Sequence, residues 1–171
     1  VFILLITDVI NWDDVQAEKG AWDTLVWMGT LIALATFLTK LGFIPWLAKS
    51  IGISLGGIDW LPALGILFLI YYYIHYIFAS LSAHAAALYI AMTSVAIAMG
   101  APPMLTLLMF AYASALFLPL THYASGPAPI LFGSGYITQA EWWKIGFIFS
   151  VIYIVVWVGL GSVWWKILGL W

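Results

Sequence analysis

Residues 60–99, forty in a row, contain no Lys, Arg, Asp or Glu. Ordinary soluble domains carry charge on about 25% of their residues, so a stretch like this has few homes other than a bilayer. Its only punctuation is Ser-Leu-Ser-Ala-His at residues 80–84, with about 20 residues on either side. Each arm is long enough for a membrane helix, since ~20 residues at ~1.5 Å each cross ~30 Å of hydrocarbon. Two architectures compete. One is a pair of complete spans joined at the far surface. The other is a re-entrant hairpin whose tip stops near the midplane. A surface turn ordinarily carries Gly, Pro, Asn or a charge. Residues 80–84 carry none of these, which favours the hairpin.

The whole chain agrees with a membrane class. It is 65% hydrophobic and 7% charged, with a mean hydropathy of +1.11. Eleven Trp and nine Tyr suit a protein with two water–lipid interfaces, where amphipathic rings settle. The net charge of -2 gives no case for nucleic acid. Arginine is absent, so no guanidinium clamp for a carboxylate is present, and the absence of cysteine excludes disulfides and thiolate metal sites. Val1 already lies inside an apolar run, and the chain is expected to be a piece of a longer one.

In order, residues 1–10 read as the end of a transmembrane helix and 11–23 as a polar interfacial loop. There Asn11 is expected to cap a short helix, with Asp14 in its third position and Gly20 past its end. Asp23 is expected to cap the next helix, and residues 24–58 read as a transmembrane helix and an interfacial elbow. The hairpin occupies 59–101, a broken transmembrane helix 102–136, and the last transmembrane helix 137–171. Within the last segment, Thr138 with Glu141 reads as a cap, residues 145–165 as the span, and Gly159 to Ser162 as a step for close packing.

The broken helix is the functional pointer. Residues 103–120 are apolar enough to span, yet residues 121–135 hold three glycines and two prolines before apolar sequence resumes. Lipid offers no hydrogen bonds, so unwound backbone at that depth must face protein or a wet cavity. Such breaks form binding sites in secondary transporters; a Pro/Gly kink that serves only packing is the alternative. His75, among tyrosines, reads as a hydrogen-bonded core residue. His84 at the hairpin tip and His122 at the helix break read as site residues, beside Ser82 and Ser125. Backbone N–H groups at the helix starts near Ala85 and Pro127, with hydroxyls and an imidazole N–H, would replace the water around a bound carboxylate. Unwound carbonyls and serine oxygens would suit sodium. An enzyme is not expected. There is no His-Glu-x-x-His, and the Ala-Ser-Gly at 124–126 lacks the preceding glycine and following histidine of an intramembrane serine protease. An ion channel is a rival, although no repeated filter or carboxylate ring is present.

Four motifs then carry a resemblance. They are W-D-D-V-Q-A-E-K-G-A-W-D-T-L-V-W from Trp12, S-A-H-A-A-A-L-Y from Ser82, T-H-Y-A-S-G-P-A-P-I-L-F-G-S-G-Y from Thr121, and E-W-W-K-I-G-F from Glu141. In this order the chain resembles the C-terminal half of the divalent anion:sodium symporter family. The nearest branch is the 2-oxoglutarate/malate translocators and citrate or tartrate/succinate antiporters. The resemblance implies an all-α membrane protein, the second inverted repeat of an elevator-type transporter with a re-entrant hairpin and a broken transmembrane helix. It implies a homodimer that moves a dicarboxylate or tricarboxylate anion of the 2-oxoglutarate, malate, succinate and citrate class. The family's Ser-Asn-Thr hairpin signature falls on Ser82, Ala83 and His84, and only the serine is kept. Loss of the amide favours anion exchange, with sodium-coupled symport as the alternative. The broken-helix loop falls on Ser125, Gly126 and Pro127. Ser82, Ala83, His84, Thr121, His122, Gly126 and Pro127 are therefore the expected substrate residues. His84 and Ser82 are expected to donate to a carboxylate. Ser82, Ala83 and Ser125 are the expected sodium ligands if sodium is the coupling ion; no other cofactor is expected. The expected location is a bacterial inner (plasma) membrane, with the plastid inner envelope as the alternative.

Overall fold

A computed structural model describes the backbone of residues 1–171 and every side chain except those at positions 23, 24, 27, 28, 31, 32, 35 and 39. The described residues form helices, turns and irregular segments, without strands. In chain order the α-helices are α1 (Phe2–Ile6), α2 (Trp12–Ala17), α3 (Lys19–Lys40), α4 (Phe43–Ser54), α5 (Trp60–Tyr73), α6 (Leu81–Ala98), α7 (Pro103–Leu116), α8 (Pro127–Gly133), α9 (Gln139–Ile154) and α10 (Gly161–Ile167).

At the polar start, Asn11 Oδ1 accepts from the Asp14 amide at 2.9 Å, and Asp14 returns a carboxylate to the Asn11 amide at 2.8 Å. These reciprocal bonds satisfy two donors at the start of α2. Gly20 does not end that helix. The ψ of 76° at Glu18 ends it, and helical backbone restarts at Lys19, before the expected start of the span. The 22 residues of α3 reach roughly 33 Å, enough to cross a bilayer. The cap expected of Asp23 lies outside the described side chains. The elbow after α3 is mostly a helix, α4, entered through Gly42 at φ 78°.

A single 3₁₀ turn, Ile74–Ile77, continues α5, and the chain then extends through Phe78 and Ser80 before α6 begins. The hairpin turn is therefore residues 78–80, which overlaps the expected turn, Ser80 to His84, only at Ser80. Ser80 is the reason. Its Oγ accepts the Ala83 amide at 3.3 Å, so helical geometry starts at Leu81 and draws Ser82 and His84 into the first turn of α6. Gly100 at φ 94° and Pro102-Pro103 reverse the chain into α7.

The last helix begins six residues earlier than the expected span. The hydroxyl of Thr138 accepts the Glu141 amide while the Glu141 carboxylate holds the Thr138 amide at 2.9 Å. The Trp142-Trp143-Lys144 run that follows does not interrupt the helix. It continues through one π-helical stretch, Val155–Leu160, into α10. Gly159 has open space around it, and Gly161 borders the rings of Trp157 and Trp165, so the step at 159–162 packs no helix backbone. Gly146 does. A Cβ there would overlap the Pro119 carbonyl oxygen and stand 3.0 Å from that of Leu120.

Among the described residues, three helices are long and apolar enough to cross a membrane: Trp60–Ile77, Leu81–Ala98 and Gln139–Ile167. The core lies between α5, α6 and α7, where Leu67, Phe68, Tyr71, Leu88, Met92 and Phe110 are buried. The last span has only 11% of its apolar window buried, so its remaining surface faces lipid or other protein. The chain is an integral membrane segment.

Candidate substrate site between two helix breaks

Two irregular segments meet in this core. One is the 3₁₀ turn and extension at residues 74–80; the other is residues 117–126, between α7 and α8. Three successive tyrosines at the end of α5 bind the hairpin to its neighbours. The Tyr71 hydroxyl donates to Ser114 Oγ at 2.7 Å, Tyr72 to the Leu116 carbonyl at 2.8 Å, and Tyr73 to Ser150 Oγ at 3.0 Å. Both serines spend their own protons on helix carbonyls, which fixes the tyrosines as donors. Leu116 ends α7, so its carbonyl has no helical partner, and Tyr72 supplies one.

The breaks are then joined directly. The Tyr123 hydroxyl donates to the Tyr76 carbonyl at 2.7 Å, and His75 Nε2 lies 3.2 Å from the Ala124 carbonyl. From the other side, the indole N–H of Trp142 donates to the Pro119 carbonyl at 3.2 Å, and that of Trp143 to His122 Nδ1 at 3.2 Å. Backbone groups freed by unwinding thus find side-chain partners, as a lipid environment demands. The absence of a side chain at Gly146 lets α9 approach closely enough for both tryptophans to reach.

The histidines form a chain with defined polarity. His75 and His84 are fully buried, and their Nδ1 atoms are 2.9 Å apart. A carbonyl oxygen only accepts, so His75 donates from Nε2 to Ala124. A neutral His75 then has a bare Nδ1, which accepts from Nδ1–H of His84. The proton of His84 is consequently on Nδ1, and its Nε2 is an acceptor. The expected role of His84 as a donor to a carboxylate is reversed by this pairing. The same logic runs the other way at His122. The Trp143 indole only donates, so a neutral His122 carries its proton on Nε2. His122 is the imidazole that presents a donor.

Among the described residues, the buried side-chain polar atoms without a well-formed hydrogen bond are His84 Nε2, Thr121 Oγ1, which stands beside the Tyr123 hydroxyl, and Ser125 Oγ. All three belong to the two joined segments or to the helix turn that follows one of them. A buried polar atom left unpaired costs roughly 1–3 kcal/mol, so each of the three is open to a ligand group or a water.

The other expected residues are placed differently. Ser82 is exposed, and two residues along a helix turn by about 200°, so Ser82 and His84 face nearly opposite directions. Ala83 is half-buried, with its amide held by Ser80. Gly126 and Pro127 are exposed, and Gly126 has ordinary helical backbone, φ -54° and ψ -46°. The helix start near Pro127 does not offer a set of free amides. Pro127 and Pro129 have no N–H, and the Ala128 amide bonds the Ser125 carbonyl at 3.3 Å. At the start of α6, Ser80 occupies the Ala83 amide, so the donors left in that turn are those of Leu81 and Ser82.

Sequence reasoning missed the partnership of His75, the Tyr123–Tyr76 bond and the work of Trp142, Trp143 and Gly146. The tryptophans read as interfacial anchors, and no periodicity distinguishes Gly146 from the chain's other glycines.

Comparison with known proteins agrees with a membrane transporter. The family model described as the sodium:sulfate symporter transmembrane region matches residues 1–171. A Bacillus subtilis (strain 168) protein named "Putative malate transporter YflS" is 49% identical over 169 residues, covering 99% of this chain and 35% of its own length. Dicarboxylate transporter 1, chloroplastic, of Arabidopsis thaliana is 44% identical over 171 residues, covering 99% of this chain and 31% of its own. The L-tartrate/succinate antiporter of Escherichia coli (strain K12) is 39% identical over 165 residues, covering 96% of this chain and 34% of its own. The chain spans about a third of the length of these relatives. With the match running over every residue, the chain belongs to the sodium:sulfate symporter transmembrane family.

Proposed function

We propose that this chain supplies part of the substrate site of a secondary active transporter for C4–C6 dicarboxylates or tricarboxylates, working by anion exchange. The observation that carries this reading is that buried polar atoms on His84, Thr121 and Ser125, left unpaired, all lie on or directly beside the two breaks that are bonded together. Hydroxyls of Thr121 and Ser125, with the Leu81 and Ser82 amides, are donors suited to a carboxylate. They do so without a formally charged side chain, as a site inside lipid prefers. The relatives named for malate, dicarboxylate and tartrate/succinate transport support the substrate class.

The re-entrant reading of the hairpin gains support from the same contacts. α7 has 14 residues, about 21 Å of helix, before its break. If α7 starts at one interface, a helix of that length would end short of the other, and the hairpin turn bonded to its break would share that depth. An elevator-like movement of this unit against a static scaffold, in a homodimer, fits the family resemblance. Both bacterial and chloroplast relatives exist; a bacterial inner membrane is the proposed location.

Uptake of radiolabelled 2-oxoglutarate by liposomes holding the full-length protein tests this. Saturable uptake that requires internal malate and ignores sodium is the expected result. Sodium-driven uptake without internal anion would replace exchange with symport, the reading the family description favours. Non-saturable flux would indicate a channel.

A further inference from the structure

We infer that His84 Nε2 is the subsite for an O–H group of the ligand, with His75 setting its polarity. The O–H is either the hydroxyl of a 2-hydroxy dicarboxylate or the acid hydroxyl of a singly protonated one. This rests on the transport reading and adds to it the kind of group recognised. A carboxylate presents only acceptor oxygens and gains nothing from a bare nitrogen lone pair. The pairing with His75, anchored on the Ala124 carbonyl, leaves His84 no neutral alternative: its Nδ1 proton is held at 2.9 Å and its Nε2 accepts.

The surroundings reinforce the assignment. The His84 ring lies against Tyr71 at 4.5 Å, Phe78 at 4.9 Å and Phe117 at 4.6 Å between centroids. These rings offer Nε2 no partner of their own, and the Tyr71 hydroxyl is committed to Ser114. Phe78 and Phe117 sit on the two irregular segments, so both breaks contribute a wall to the His84 ring. Among the described residues, no charged side chain is hydrogen-bonded to either histidine. The far end of the pair stops at a carbonyl, which cannot take a proton onward. The one open position is Nε2. Thr121 and Ser125, on the segment whose Ala124 carbonyl holds His75, carry hydroxyl donors for carboxylate oxygens, so an acceptor on one break and donors on the other match a ligand that carries both.

The test uses the full-length protein in liposomes and compares inhibition of labelled malate uptake by malate and by succinate. Both are measured at neutral and at mildly acidic external pH. His84→Phe keeps a flat ring and removes the acceptor. If the ligand hydroxyl is read, the preference for malate over succinate falls about tenfold, the worth of one good hydrogen bond. If the acid hydroxyl is read, the gain in succinate affinity on acidification disappears instead. His75→Phe frees His84 to place its proton on Nε2 and shifts the preference towards succinate at neutral pH. Both measures unchanged within about twofold in His84→Phe would overturn the inference and leave Nε2 with an ordered water only. Should these variants fail to fold, ¹⁵N-histidine spectra of the wild type decide. An unprotonated Nε2 on His84 is expected, and a protonated one overturns the assignment. Absence of dicarboxylate uptake by the wild type would strike the transport reading, while the nitrogen spectra still report on the histidine pair.

Discussion

Gly146 of α9 rests on the carbonyl oxygen of Pro119, in the first turns of the second break. No side chain fits between them, because a Cβ would occupy the space of that oxygen and press on Leu120 as well. Gly146→Ala should therefore push α9 away, cost about 1–3 kcal/mol as overpacking does, and detach both indole bonds. Thermal unfolding of the purified protein measures it. Gly159→Ala is the control. Nothing lies within 4 Å of a Cβ there, so its melting temperature should hold.

The bond from Tyr123 to the Tyr76 carbonyl crosses from one break to the other. Tyr123→Phe keeps the ring and strands a carbonyl beside the 3₁₀ turn, at a cost of about 1–3 kcal/mol. Since this bond holds the two halves of the proposed site in register, substrate affinity should fall while the protein still reconstitutes. Unchanged affinity together with a lowered melting temperature would make the bond purely structural. Tyr72→Phe, which uncovers the last carbonyl of α7 outside the breaks, should show that second pattern.

Trp143 fixes the proton of His122 on Nε2. Trp143→Phe leaves the aromatic wall and releases the imidazole to either tautomer. If His122 donates to substrate, affinity should weaken several-fold, within the ~0.5–1.5 kcal/mol of a typical net hydrogen bond, with maximal rate preserved. A concentration series of substrate uptake separates the two. No change in affinity would remove His122 from the site.

Much of the fold was legible in the sequence because its signals are local. Asn11 with Asp14 and Thr138 with Glu141 are capping pairs whose geometry depends only on a three-residue spacing. The second break announced itself by Gly and Pro, and the first by its serines, in otherwise apolar sequence. Offsets arose where one residue did the work of several: Ser80 alone starts α6, so of the expected turn, Ser80 to His84, only Ser80 stays outside the helix. What was not legible depends on through-space partners. Nothing in the tyrosine-rich surroundings of His75 says that its partner is His84, nine residues away across a turn. The donor or acceptor character of each imidazole follows from that partner and from Ala124 or Trp143, which sequence does not place. The two prolines of Pro-Ala-Pro were visible, and the amides they delete from α8 follow from the covalent structure of proline itself.

The histidine pair makes a final prediction that needs no substrate. His75 and His84 share a hydrogen bond, and both rings pack on Phe117, at 4.4 Å and 4.6 Å. Each single replacement by Phe breaks the shared bond and leaves the other ring with a buried, unpaired Nδ1. The double replacement removes both polar partners and leaves only the Ala124 carbonyl exposed to loss. Stability should therefore be strongly non-additive: the double variant should be more stable than the sum of the singles predicts, by about 1–3 kcal/mol. Denaturation of the four proteins in one detergent completes the cycle. Additivity within about 0.5 kcal/mol would mean that the two imidazoles are independent, and the assigned polarity of His84 would lose its foundation.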